Sequence, residues 1–354
     1  MADMAQTLAH QPPLSAAKRR LDAVALWLFG CCGLIFAMVV VGGITRLTLS
    51  GLSITEWQPL SGIVPPLDRA RWLAEFAHYR QVPEYAAVHA GMTLDGFKSI
   101  FWWEYAHRLL GRVVGLGFAG PLCWFWWRGR LSRGLRWPLA LILLLGGAQG
   151  ALGWYMVESG LAHRVEVSQY RLAAHLALAL LLYAAILWTA LGRIDRPAGA
   201  VSGGWRRAAE AILLLVAATI VAGAFVAGLH AGLVFNTFPL MAGGLLPPDY
   251  GQLHPFIRNW FENLGAVQFD HRLLAETTAA AIALAWVAGR RANLPPPARL
   301  ALNALGAIAL LQFGLGVATL LLMVPVPLAA LHQANAVLLL TAALGFRHSL
   351  RAGG

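Results

Sequence analysis

An all-α membrane protein, eight transmembrane helices arranged as two parallel-oriented four-helix-bundle repeats, is the fold class that this 354-residue chain predicts. Three observations carry that expectation. Apolar residues make up 58% of the chain and charged ones 12%, against roughly 45–50% and 25% in a soluble domain. The apolar residues gather into eight runs of about 20 residues, the length a helix needs to cross the hydrocarbon core. The second half of the chain also repeats the first in weakened form.

The runs lie near 22–45, 103–127, 137–157, 171–191, 207–229, 268–288, 299–323 and 327–346. The first follows Lys18, Arg19 and Arg20 as a signal peptide would, but it is too long and lacks a small-residue cleavage site, so it reads as a retained anchor. Inner segments then hold Arg128, Arg130, Arg133 and Arg136; Arg193, Arg196, Arg206 and Arg207; Arg290, Arg291 and Arg299; and Arg347 and Arg351. The outer connections are longer and poorer in Lys and Arg, so the positive-inside rule puts both termini in the cytoplasm. The net charge of +11 is thereby spent on topology, and nucleic acid is not expected as a partner. Cys31, Cys32 and Cys123 all sit in apolar runs, which excludes a disulfide scaffold, a thiolate metal site and CxxCH haem attachment.

Two outer connections, 46–102 and 230–267, are rich in Gly, Pro, Trp and Phe and are expected to form an ordered cap. The inner connection 192–206, with Pro197, Gly199, Gly203 and Gly204, reads as a linker. The predicted organisation is a tail 1–21, an N-terminal half 22–191, the linker 192–206, a C-terminal half 207–346 and a tail 347–354.

The repeat aligns Glu104-Tyr-Ala-His107-Arg-Leu-Leu-Gly-Arg112 with Gln268-Phe-Asp-His271-Arg-Leu-Leu-Ala-Glu276 without a gap, and Gln149-Gly-Ala-Leu-Gly153 with Gln312-Phe-Gly-Leu-Gly316. His175 then corresponds to His332, and the outer segments 51–66 and 232–248 share a Gly-Leu start and a Pro-Pro end. Four crossings return the chain to its starting side, so the halves share one orientation about an axis along the membrane normal. Such bundles place cofactor sites between facing helices, here two of them.

Of the eleven histidines, His10 and His348 fall in tails, and His78, His89, His163 and His254 fall in outer loops where solvation is expected. His107, His175, His271 and His332 begin the second, fourth, sixth and eighth runs, all of which cross from outside to inside, so the four imidazoles are predicted at similar depth near the outer leaflet. Zinc or copper wants further ligands that do not accompany these pairs. Two opposed imidazoles suit the axial positions of a haem iron. Arg108, Arg112 and Arg272 are candidate partners for haem propionates, or else snorkel to headgroups.

The halves differ at one place of chemical weight. Glu104 stands one turn before His107, and its counterpart is Gln268. A carboxylate in one half only suggests acid–base chemistry there and electron transfer alone in the other, unless Glu104 simply pairs with Arg108.

These segments, together with Gly42-Gly43-Ile-Thr-Arg46-Leu-Thr, Gly51-Leu-Ser-Ile-Thr-Glu56-Trp-Gln-Pro, Ala231-Gly-Leu-Val-Phe-Asn236-Thr-Phe-Pro239-Leu-Met, Asn259-Trp-Phe-Glu262-Asn263 and Leu331-His332-Gln-Ala-Asn335, resemble the haem A synthase family, in its alphaproteobacterial and mitochondrial branch. The resemblance implies an inner-membrane oxidoreductase that converts the C8 methyl of haem O to a formyl group, giving haem A for cytochrome c oxidase. It implies that His271 and His332 ligate a haem b cofactor, that His107 and His175 attend the substrate haem, and that Glu104 is the catalytic carboxylate. It also implies haem O as a partner, delivered by a haem O synthase, an electron partner, and compatibility with a homo-oligomer. The outer-loop cysteine pair of some family members is missing here, and His230 stands where relatives carry an acidic residue. Two other readings fit a two-haem protein: a b-type subunit passing electrons to or from quinone, and a haem carrier.

Overall fold

In a computed structural model, which describes residues 22–57, 61–162, 166–194 and 202–351, eight helices are long and apolar enough to cross a membrane. They are α1 (Ala23–Leu47), α4 (Leu94–Trp127), α5 (Arg133–Ala162), α6 (Gln169–Leu191), α7 (Gly203–Gly228), α9 (Leu264–Arg291), α10 (Pro296–Leu321) and α11 (Val326–Ser349). Among the described residues there are no strands; three short α-helices, α2 (Arg69–Tyr79), α3 (Pro83–Val88) and α8 (Asn259–Glu262), and three single-turn 3-10 helices lie in the outer connections. The chain is a multi-pass membrane protein. The predicted tail 1–21, His163, Arg164 and the middle of the inner linker lie outside the described residues.

Local chemistry sets the helix ends. Asp22 caps α1 by accepting from the Ala25 amide at 2.6 Å, and Thr93 caps α4 through the Gly96 amide at 3.2 Å. Asn263 caps α9 through Ala266 N while its own amide donates to Asp249 O, which ties the helix start to the preceding loop. Prolines open α10 and α11, where a missing N–H does no harm.

Within the N-terminal half α1 packs on α4 and α6, and α5 on α4 and α6. In the C-terminal half α7 packs on α9 and α11, and α10 on α9 and α11. The halves meet through α6 on α7 and through α11 on α1 and α6. Polar ties cross this seam: Gln333 Nε2 donates to Val39 O at 2.7 Å with its amide laid against Gly43, and Tyr183 and Thr341 hydroxyls meet at 2.7 Å. Helices α5 and α10 are the least buried of the eight and form the periphery.

Several helix boundaries depart from the sequence reading, by up to nine residues. Helix α4 starts nine residues before the expected 103, so at about 1.5 Å per residue its 34 residues span about 50 Å and the first turns stand above the hydrocarbon. Asp95 and Lys98 hid that extension from hydropathy. Helix α7 starts at Gly203, inside the expected linker 192–206.

The upper turns of α4 are the floor of the outer cap. Phe97 is fully buried, stacked on Phe76 at 5.1 Å and Tyr79 at 5.5 Å between ring centroids, while Trp72 meets Phe101 edge-on at 4.9 Å. These aromatic contacts, with Val82 and Ile100, give α2 and α3 a small core of their own. Phe97→Ala is expected to cost about 3–5 kcal/mol of cap stability. Limited proteolysis should then cut within α2 and α3 of the variant while the membrane helices stay protected.

Candidate functional site

Each of the four histidines rests on a glycine of the preceding membrane helix. A Cβ built on Gly42 (α1) would lie 2.9 Å from His107 Nε2 (α4), and one on Gly153 (α5) 2.9 Å from His175 Cε1 (α6). In the second half the distances are 3.1 Å from Gly223 (α7) to His271 Cε1 (α9) and 3.0 Å from Gly316 (α10) to His332 Cε1 (α11). A Cβ would press the imidazole aside at Gly42 and Gly153 and crowd it at Gly223 and Gly316, so the close approach favours glycine at all four positions. His107 lies near enough to His175 to interact electrostatically, and His332 likewise to His271. The expected position near a helix start holds for His175, His271 and His332, whereas His107 lies more than three turns into the longer α4.

The donor set fits a haem. Among the described residues no group of three or more His, Cys, Asp or Glu comes together to hold a metal ion, which leaves pairs of imidazoles. His271 Nδ1 lies 3.1 Å from Thr219 O, and since a carbonyl can only accept, Nδ1 carries the proton and Nε2 keeps its lone pair for a metal. Gln312 reaches the His332 ring at 3.2 Å and is itself held by Asn335 Nδ2 at 2.9 Å. Its counterpart Gln149 donates to His175 O at 2.9 Å. Buried His175 Nδ1 has no hydrogen-bond partner among the described residues, and Gln149 Nε2 lies 3.5 Å from His175 Nε2, so the His175 ring lacks the carbonyl contact that fixes His271.

The outer loops are fastened to the site by arginine in the same way in both halves. Arg108 donates from Nη2 to Ile54 O at 2.7 Å and from Nη1 to Glu56 O at 2.9 Å; Arg272 donates from Nη2 to Phe235 O at 2.6 Å and from Nη1 to Thr237 O at 2.9 Å. The pairs Ile54 and Phe235, Glu56 and Thr237, and Gly42 and Gly223 are all 181 residues apart. Both guanidinium groups, read from sequence as propionate partners or headgroup anchors, are thus engaged with loop carbonyls.

Glu104 breaks this symmetry. It is 3% exposed, and both of its oxygens are fully occupied. Oε1 accepts from Arg108 Nε at 3.0 Å and Nη2 at 2.7 Å, and Oε2 from Ser53 Oγ at 2.8 Å and the Ile54 amide at 2.7 Å. Charge-assisted donors on every side hold the carboxylate in one place. Gln268, 2% exposed, reaches the equivalent loop by donating Nε2 to Phe235 O at 3.2 Å, and its buried Oε1 has no partner among the described residues. A cavity of about 310 Å³ is lined by Arg108, Arg112, Tyr105, Arg71, Glu56 and Glu75, so Arg112 faces space that a ligand can enter.

Two histidines depart from the tail and outer-loop placement expected of them, while His78 is exposed as expected. His348 is buried at the end of α11 with its ring edge-on to Trp188, because α11 runs to Ser349. His89 Nδ1 lies 2.6 Å from the Tyr79 hydroxyl, and His78 Nδ1 lies 3.8 Å from Glu56. His230, in the left-handed region at φ 52°, sits 2.6 Å from Arg46 Nη2 and 3.2 Å from Glu166, joining the ends of α1 and α7. The glycine seats were missed although Gly153 and Gly316 stand in the aligned segments; a glycine at the same register of both repeats was the available signal.

A polytopic helical membrane protein with two glycine-seated histidine pairs, one of them beside a clamped carboxylate, is the class that the fold and site define. The chain matches the family described as Cytochrome oxidase assembly protein over residues 25–344. It is 52% identical over 332 residues to a Heme A synthase of Nitrosospira multiformis, covering 93% of each chain. A Heme A synthase of Rhodospirillum centenum is 49% identical over 355 residues, 99% of this chain and 94% of the relative, and one of Caulobacter sp. is 48% identical over 330 residues, 93% and 96%. The chain belongs to the haem A synthase family of cytochrome oxidase assembly proteins.

Proposed function

We propose that this protein is an enzyme of haem A biosynthesis that oxidises the C8 methyl of haem O to a formyl group, with the His107 and His175 half receiving the substrate and the His271 and His332 half holding a resident haem b. Glu104 opposed to Gln268 within otherwise matching frames is the observation that carries the division of labour. The similarity to Heme A synthases over nearly the whole chain supports the reaction. In this reading the chain lies in the inner membrane with both termini in the cytoplasm.

Bound haem b supplies one-electron transfer between the substrate and an external electron partner. His271, its proton fixed on Nδ1 by Thr219, and His332, steadied by Gln312, would hold that haem. His107 and His175 orient the substrate ring, and Arg112 meets its acidic edge from the cavity. As a net half-reaction, R–CH3 + H2O → R–CHO + 4 H+ + 4 e−, the oxidation passes through a geminal diol, sends its electrons to the electron partner and releases protons that need a fixed acceptor. Glu104, held stationary by Ser53, Ile54 and Arg108, is the carboxylate assigned to that role.

Expression with a haem O source, followed by mass identification of extracted haems, tests the reaction. Haem A must appear; recovery of unmodified haems alone would favour electron transfer or carriage. The glycine seats allow a finer check. Gly316→Ala is expected to displace His332 by a few tenths of an ångström and weaken the bound-haem spectrum, whereas Gly314→Ala, with nothing within 4 Å, leaves the spectrum unchanged.

A further inference from the structure

The two histidine pairs share their glycine seats and differ in what stands behind the second imidazole. In the C-terminal half Asn335, 4% exposed, donates Nδ2 to Ile308 O at 3.1 Å and to Gln312 Oε1 at 2.9 Å. The second bond turns the Gln312 amide nitrogen toward His332, where it lies 3.2 Å from Nδ1 and 3.5 Å from Nε2. Ile308, Gln312 and Gly316 succeed one another along one face of α10, and His332 and Asn335 lie one turn apart on α11. The glycine seat and the amide chain thus hold one ring between two helices.

In the N-terminal half that chain is cut. Gln149 takes the place of Gln312, but Leu178 stands three residues after His175, where Asn335 follows His332. Leucine has no donor to offer, and buried Gln149 Oε1 has no hydrogen-bond partner among the described residues. The surroundings differ in the same sense. Gly146, Gly147 and Gly150 stand where α10 carries Ala309, Leu310 and Phe313, and a Cβ built on any of the three glycines would meet nothing within 4 Å. Phe313, by contrast, meets the outer-loop ring of Phe238 edge-on at 5.9 Å.

We propose that Asn335, acting through Gln312, is the positioning residue that makes the C-terminal site retain its haem, and that Leu178 at the matching place leaves the N-terminal site free to exchange. This rests on the division into resident and substrate halves made above. A substrate has to leave after turnover, whereas a resident group has to stay. An imidazole already held in place surrenders little freedom when haem binds and regains little when haem departs, while a looser one regains more. Groups that hold a metal-binding imidazole from behind change metal affinity by about 10–100-fold.

The test follows haem loss from purified protein, loaded with haem O, to an excess of apomyoglobin; the haem remaining at intervals is extracted and identified by mass. Haem O and any haem A formed from it report the N-terminal site, and haem b reports the C-terminal one. Asn335→Leu is expected to speed release of haem b about 10–100-fold and to leave N-terminal release unchanged. Leu178→Asn, which offers Gln149 Oε1 a donor, is expected to slow N-terminal release about tenfold with haem b still in place. Release of haem b at the wild-type rate from Asn335→Leu would overturn the retaining role, and unchanged N-terminal release from Leu178→Asn would overturn the role of Leu178. If Asn335→Leu aggregates, Gln312→Leu decides with the same expected outcome, since it removes the amide facing His332 and leaves Asn335 bonded to Ile308 O. Aggregation of both would mark the chain as structural and also overturn the proposal. Haem O and haem b leaving the wild type at one rate would instead defeat the division into substrate and resident halves.

Discussion

Replacing His271 or His332 with alanine is expected to abolish the low-spin b-haem spectrum of the purified protein, because one axial imidazole cannot maintain six-coordination. The effect should be close to complete at His271. Its proton is fixed by Thr219 O and its ring is seated on Gly223, so no neighbouring group stands ready to substitute. Removing His107 or His175 should instead abolish haem A formation and leave the C-terminal spectrum in place. Retention of the full spectrum in both His271→Ala and His332→Ala would refute the ligand assignment.

Glu104→Gln is expected to slow conversion of haem O by about 10²–10⁴-fold, with the singly hydroxylated haem accumulating, since a positioned general base contributes about that much. The ion pair adds a cost that composition did not reveal. Arg108 loses its counter-charge and one amide hydrogen meets a donor, so about 3 kcal/mol of stability is at stake. Turnover per bound haem is therefore the quantity to measure. Gln268→Glu is the control: it introduces a carboxylate opposite Phe235 O, a carbonyl that cannot donate to it, and should not create a second reactive half. Near-normal haem A formation by Glu104→Gln would reduce the carboxylate to a clamp for Arg108.

The membrane helices and the histidine pairs were legible because both are written in strong local signals, long apolar runs and the His-Arg-Leu-Leu segments. What escaped depends on distant partners. The upper turns of α4 carry Asp95 and Lys98 and become helical by burying Phe97 and Phe101 against α2, a contact no hydropathy window contains. His89 and His348 looked solvated because neither the Tyr79 hydroxyl nor the Trp188 face is near in sequence. Glu104 was recognised as chemically different from Gln268, but its four donors come partly from a loop some 50 residues earlier, so its clamping could not be read.

The glycine seats make the route by which such a site can be lost differ from the route by which it can be regained. While an imidazole is present, its glycine cannot acquire even a methyl group without displacing the ring. Once the histidine is replaced by a smaller residue, that prohibition lifts, and the glycine is free to drift to alanine, which favours the helix by about 1 kcal/mol. A later return of the histidine then meets a filled seat. Each pair of positions is a ratchet: decay takes single steps in either helix, whereas restoration demands the glycine first and the imidazole second, with no benefit from the first step alone.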